Sequence, residues 1–218
     1  MPVYRTIFIL LIIHLFSACH DRQQSKSHPI DGVTGTLHID EYRVKKGSDL
    51  KGWTCYKLKH EKLCCPSEWK SVKEDQTFFT AYIDPSDTLS YLNVTKYQPV
   101  FVDSTYTSYF RGIYKMMSNN KDEIWEDPIL QRYVYDDKTS YTLEFRSTIN
   151  NKRYITFVGV FDRDGSTYEF AMKFHEEQMD KYKETFGDML YLFQVNGKLV
   201  FNKDEKLLEI QQIDISKV

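Results

Sequence analysis

The sequence predicts an α+β domain, with a central antiparallel sheet of about six or seven strands flanked by helices. Three observations carry that expectation. Hydrophobicity alternates with period two along most of the second half of the chain, as half-buried strands require. Two stretches switch to a three-and-four spacing, as amphipathic helices require. Sixteen Tyr and fourteen Phe among 218 residues enrich the chain in side chains that suit a pleated, half-covered surface.

The front of the domain reads as a hairpin. Thr54 to Lys59 and Lys62 to Cys65 flank a turn expected at His60-Glu61, and Pro66-Ser67-Glu68-Trp69 follows. Thr77 to Ile83 and Tyr91 to Tyr97 supply two further strands. A helix then begins where Asp103 or Ser104 can cap it; Tyr106, Tyr109, Phe110, Ile113, Tyr114 and Met117 form its apolar side, and Asn119-Asn120 ends it.

The next strands are the clearest. Ile129 to Tyr135 leads into the turn at Asp136-Asp137-Lys138. From Tyr141 to Ile149, the residues Tyr141, Leu143, Phe145 and Ile149 share one face, while Thr142, Glu144, Arg146 and Thr148 share the other. Tyr154 to Phe161 is apolar on both faces and belongs in the middle of the sheet, joined to its predecessor by Asn150-Asn151. Thr167 to Phe174 alternates again after Asp162-Arg163-Asp164-Gly165. A closing helix is expected from about Glu176 to Tyr191, built on Met179, Tyr182, Phe186, Met189 and Leu190.

This order of hairpin, Pro-x-x-Trp, two strands, helix, further strands and a closing helix leading into Leu192-Phe193-Gln194-Val195-Asn196-Gly197 resembles the PsbP-like fold. The resemblance spans roughly Trp53 to Phe201. It implies a sheet sandwiched by helices and a docking or accessory role without catalysis. No set of site residues transfers with it.

The first residues read as an address. Arg5, an apolar run from Thr6 to Phe16, and small Ser17 and Ala18 stand before Cys19, an order that resembles the bacterial lipobox. The run is too short to span a bilayer as a helix. Residues 1–18 are therefore expected as a signal peptide, with Cys19 lipidated, and acyl chains contribute about 0.8 kcal/mol of membrane anchorage per buried methylene. His20 follows the cysteine where an aspartate would signal inner-membrane retention, which favours the outer membrane. Residues 19–50 form a polar tether with room for a first strand, 51–202 the single α+β domain, and 203–218 a C-terminal tail that could dock as a short helix or an edge strand.

With Cys19 acylated, Cys55, Cys64 and Cys65 remain for an oxidising compartment. A Cys55–Cys64 bridge is expected, diagonal across the hairpin, with Cys65 as the alternative in a shifted register and reduced cysteines packed in the core as a further outcome. A zinc set of Cys55, His60, Cys64 and Cys65 lacks paired C-x-x-C spacing and is disfavoured. His175-Glu176-Glu177-Gln178-Met179 has Met where a zincin needs its second His, so His175 reads as a surface residue at the start of the closing helix. Asp162-x-Asp164-Gly165 lacks the rest of a calcium loop and reads as a turn. Asn93-Val94-Thr95 matches a glycosylation sequon that carries no meaning in a bacterial lipoprotein.

Function is bounded more than specified. A net charge of −2 without a basic cluster argues against nucleic acid. No nucleophile elbow, phosphate loop or dinucleotide motif occurs, so neither catalysis nor a cofactor is expected. The expectation is a lipid-anchored binding or accessory module of the cell envelope, docking a protein or glycan partner through a sheet edge or near Trp125, whose ring is framed by Asp122, Glu123, Glu126 and Asp127 but is read first as a core side chain. The alternative is a carrier of an apolar ligand held between sheet and helices, with an enzyme lacking any recognisable motif as a further alternative.

Overall fold

The computed structural model describes residues 31–42, 51–74, 78–120, 123–136, 138–201 and 205–218. Cys19 and the signal-peptide residues 1–18 lie outside them. So do most of the tether, Asp122 of the Trp125 cluster and Asp137 of its turn.

The α+β expectation is corrected: the protein is predominantly β, with two sheets and two α-helices among the described residues. The larger sheet has nine antiparallel strands rather than six or seven. It contains β1 (Val33–Tyr42), β4 (Lys70–Glu74), β5 (Phe78–Asp84), β6 (Asp87–Tyr97), β7 (Ile124–Tyr135), β8 (Thr139–Ile149), β9 (Lys152–Arg163), β10 (Ser166–His175) and β13 (Lys206–Ile213), in the order β1-β13-β7-β8-β9-β10-β6-β5-β4. The smaller sheet joins β2 (Trp53–Lys57), β3 (Glu61–Pro66), β11 (Gln194–Val195) and β12 (Lys198–Leu199) in the order β12-β11-β3-β2. Helix α1 spans Asp103–Asn119 and helix α2 spans Met179–Leu192, the latter preceded by a 3-10 turn at Glu176–Gln178.

Two extra strands account for most of the difference in the sheet. The C-terminal segment Lys206–Ile213 inserts as β13 between β1 and β7, an interior position rather than an edge, and β1 pairs outside it. Local periodicity could not reveal this, because Leu207, Leu208, Ile210 and Ile213 sit among charges and only their long-range partners fix the extended form. Strand pairing is otherwise set by turns of the type the sequence offered. Asn150 and Asn151 take positive φ values of 51° and 62°, the left-handed pair that a two-residue hairpin needs, and Asp164-Gly165 does the same at 48° and 73°.

The β2–β3 turn differs from the expected one. Leu58 N–H donates to the Glu61 carbonyl at 2.9 Å and Lys57 pairs with Lys62, so the turn centres one residue earlier than His60-Glu61. Cys55 thereby lies directly opposite Cys64 rather than diagonal to it, and the two are joined in a disulfide with 4.0 Å between Cα atoms. Cys65 is buried and free of a disulfide. Helix α1 also starts differently from expectation: its cap is Val102, which makes no side-chain cap.

Each face of the large sheet has its own core. On one face Phe79, Leu92, Ile155, Phe170, Met172 and Phe174 pack against α2 and the small sheet. On the other, Leu130, Tyr141, Leu143, Phe145, Val158 and Val160 pack against α1 and the C-terminal residues Ile215 and Val218. The apolar run of β9 belongs to both, with Ile155 and Phe157 facing one way and Val158 and Val160 the other.

Candidate functional site

A concavity lies where the covering of the first face ends. Following the ladders, β8 Ser140, Thr142 and Glu144 stand beside β9 Phe161, Gly159 and Phe157, and beside β7 Tyr133, Gln131 and Ile129. All nine project to the α2 side, because cross-strand partners share a face. Helix α2 roofs β9 and β10 but stops short of β7. The result is a half-open groove of about 350 Å³ between α2 and β7, floored by β8 and β9.

Gly159 explains why the helix sits low enough to form a wall. A Cβ at this position would meet Leu190 Cδ1 and Phe186 Cζ at 3.4 Å each, so its absence leaves the helix resting on bare backbone. The groove therefore has one apolar wall, Phe186 and Leu190, and a floor stripe of Ser140, Thr142 and Glu144 in which every side chain is polar.

Its two ends differ. At one end Phe201 stands against Phe161 at 5.1 Å, Tyr135 at 6.1 Å and Tyr191 at 6.2 Å, an aromatic corner. Lys138 caps this corner with its ammonium 4.9 Å above the Phe201 ring, while bound to Glu205 and to the Val200 carbonyl. At the other end Lys183 on α2 faces Glu144 on β8 at 3.8 Å. Eight residues of helix at 1.5 Å each separate Lys183 from Tyr191, about 12 Å. Four residues of strand separate Glu144 from Ser140, about 13 Å. The α2 wall and the β8 part of the floor run side by side for the length of the groove.

Titratable groups cluster elsewhere. Opposite the groove, on the α1 side, the Glu169 carboxylate accepts from Tyr97 Oη at 2.8 Å and Tyr109 Oη at 2.7 Å. Burial pushes its carboxyl above the ordinary value, against the pull of both hydroxyls. Asp162 beside it accepts from Tyr106 and Thr167 and is likewise raised by burial. Between the two sheets, Glu61 accepts from Lys96 Nζ and Tyr168 Oη at 2.8 Å each. Burial raises Glu61, but the hydrogen bonds and the Lys96 charge outweigh it and hold the carboxyl below its ordinary range.

His175 ends β10 and is not a free surface residue. Its Nε2 lies 2.9 Å from Asp87 Oδ2, its ring stacks on Tyr154 at 4.7 Å, and Tyr154 Oη donates to the same Asp87 oxygen. Burial and Asp87 push the Tyr154 hydroxyl up to about 12. These residues project to the α1 side of the sheet, away from the groove.

Trp125 on β7 stacks on Phe145 with 4.5 Å between centroids, and its Nε1 is buried without a hydrogen-bond partner among the described residues. The carboxylates around it are paired: Glu123 with Lys173 at 2.5 Å, Glu126 with Arg153 at 3.8 Å and Asp127 with Arg146 at 3.9 Å. Asp164 accepts from the Asn196 side chain as part of its turn. Among the described residues no group of three or more His, Cys, Asp and Glu is placed to hold a metal ion, and the Cys55–Cys64 disulfide occupies two thiols of the zinc set. No described helix is long and apolar enough to cross a membrane.

Comparison with solved structures places this architecture. The chain aligns with the solution structure of cyanobacterial PsbP (CyanoP) from Synechocystis sp. PCC 6803, at 16% identity over 70% of this chain and 98% of that one, with a TM-score of 0.51. The fold is PsbP-like. Weaker overlaps occur with LpqN, involved in cell envelope biogenesis of Mycobacterium tuberculosis, at 8% identity over 66% and 90% of the two chains (TM-score 0.40), and with PA94 of Pseudomonas aeruginosa, a protein of unknown function, at 10% over 62% and 91% (TM-score 0.39). No family model and no curated protein sequence matches the chain.

The PsbP-like part of the reading was legible in element order, and the groove was not. Its polar stripe was visible as the face of Thr142 and Glu144. That α2 would lie beside them depended on contacts between residues far apart in sequence.

Proposed function

We propose that this protein is a non-catalytic binding module of a bacterial cell envelope, held to the outer membrane by a lipid on Cys19, with its ligand seated in the groove between α2 and β7. The groove itself carries the reading. It combines an apolar wall with a few converging polar side chains, the usual composition of a small-molecule site. The separation of chemistries supports a binding role: the His175–Asp87 pair projects from the opposite face, and Glu144 has Lys183 rather than a histidine beside it.

Two measurements test the two halves. Thr142→Trp fills the floor of the groove. Native mass spectrometry of the full chain after exposure to envelope extract is expected to find an adduct on the wild type and none on this variant, and equal adducts on both would remove the groove as the site. Cys19→Ala is expected to release the protein from membranes and to end incorporation of labelled palmitate. Retention in the membrane fraction would remove the anchor.

A further inference from the structure

The groove sets the apolar α2 wall against a polar β8 stripe, with Ile129 of β7 and Phe157 and Phe161 of β9 as apolar neighbours of that stripe, and this constrains what can lie in it. An alkyl chain is apolar around its full circumference. Seated here it would cover Thr142 and Glu144, two polar side chains on the face of β8 that begins at buried Ser140, and would strip them of water without offering a hydrogen bond. A fully polar ligand fails on the other side, against Phe186, Leu190 and the aromatic corner at Phe201. The occupant must be two-sided as well, with hydrogen-bonding edges toward β8 and an apolar face toward α2 and the aromatic corner.

The mouth adds a second constraint. Glu144 and Lys183 face each other at 3.8 Å, and Lys183 is the more exposed of the two, at 62% against 17%. An anionic ligand here meets the Glu144 carboxylate, which the strand holds in place. A cationic one meets the Lys183 ammonium. A neutral ligand with hydroxyl groups can bond to both.

Pyranose rings have this two-sidedness: their C–H faces stack on apolar and aromatic surfaces, while hydroxyls ring their edges. A linear arrangement matches a groove about 12 Å long, open along its top and lined on both sides from end to end. We infer that the groove binds a neutral, linear oligosaccharide, with its C–H faces against Phe186, Leu190 and Phe201 and its hydroxyl edges on Thr142, Gln131 and Glu144. This assignment rests on the groove being the binding site and goes beyond it in naming the ligand class.

Calorimetric titration of the full chain with maltohexaose, cellohexaose, xylohexaose and laminarihexaose tests it, with dodecanoate as the apolar control. At least one hexasaccharide is expected to bind saturably in the micromolar to millimolar range. Thr142→Val combined with Gln131→Met keeps the volume of the groove and removes two of the three side chains that bond the hydroxyl edges, leaving Glu144. It is expected to weaken that binding by about tenfold or more, with an unchanged circular-dichroism spectrum. Hexasaccharide binding that the double variant leaves intact would overturn the assignment. If no hexasaccharide binds while dodecanoate binds and Thr142→Trp abolishes it, the sugar assignment falls and the groove stands as a site for an apolar chain. If neither binds and the extract adduct is also absent, both readings fall.

Discussion

Gly159 lies directly beneath Phe186: a methyl group added to its Cα would stand 3.4 Å from the ring's Cζ, and the same distance from Leu190 Cδ1. The strand that is apolar on both faces therefore contains one residue with no side chain, at the point where the helix crosses it. A single alanine can be fitted there by a shift of tenths of an ångström. Anything larger must push Phe186 and Leu190 aside or enter the groove.

Substitution at this position should separate packing from backbone entropy. Gly159→Ala is expected to change stability by less than about 1 kcal/mol, because restriction of the unfolded chain offsets the tight contact. Gly159→Leu is expected to destabilise by about 1–3 kcal/mol through overpacking, and to push Phe186 and Leu190 aside or enter the groove. Urea midpoints, with NMR shifts of Leu190 and Phe186 as the local readout, check both.

Glu61 joins the small sheet to the large one through Lys96 and Tyr168, and it is buried. Glu61→Ala leaves Lys96 without its partner and removes the acceptor for Tyr168 Oη. A loss of about 3–5 kcal/mol is expected, the range for breaking one half of a buried pair. Its carboxyl is held below the ordinary value of 4.5, so this contribution is present above pH 4.5 and is lost as the pH falls through the folded-state value. Acid unfolding of Glu61→Gln should be less steep than that of the wild type.

Glu169 gives the opposite pH dependence. Its folded-state value is raised above 4.5, so between the unfolded and folded values the native protein holds a proton that the unfolded chain has released. Stability from this group is therefore greatest below pH 4.5 and declines as pH rises through the folded value. Asp162, raised from 3.8, adds to the same trend. Glu169→Gln keeps an acceptor for Tyr97 and Tyr109 and carries no charge. It is expected to stabilise the protein at neutral pH and to flatten the decline in thermal midpoint expected as pH rises through the folded-state value.

The Cys55–Cys64 crosslink closes a loop of nine residues in sequence. Its removal by Cys55→Ser with Cys64→Ser is expected to cost about 2–3 kcal/mol, chiefly by freeing the unfolded chain. Cys65 is buried, so native alkylation should label no thiol in the described part of the oxidised protein, and labelling after unfolding should find one. Native labelling of Cys65 at the same rate as in urea would contradict its burial.

Local chemistry made the middle of the chain readable. Alternation at Tyr141 to Phe145 and at Tyr168 to Phe174, the Asn150-Asn151 and Asp164-Gly165 turns, and the apolar spacing from Tyr106 to Met117 are all signals within one element, and each element formed close to where those signals lie. The errors share a different cause. The tail read as an edge strand or helix became interior β13, and the sheet grew from six or seven strands to nine chiefly through long-range pairing: Ile213 pairs with Leu130 of β7, 83 positions away, and with Val33 of β1, 180 positions away. The disulfide partners moved from diagonal to opposite because a one-residue change in the turn resets the whole ladder.

The sequence by itself determined which residues alternate, the turns at Asn150-Asn151 and Asp164-Gly165, which stretches coil into helices, and the lipobox-like approach to Cys19. Those properties depend on φ/ψ preferences and side-chain period, which act within a few residues. Only the tertiary structure decided that α2 would settle on Gly159 and leave β7 and β8 uncovered beside it. Whether a sheet face is roofed or open depends on the packing of distant elements, and the groove exists because one helix spans two of the four strands it could have covered.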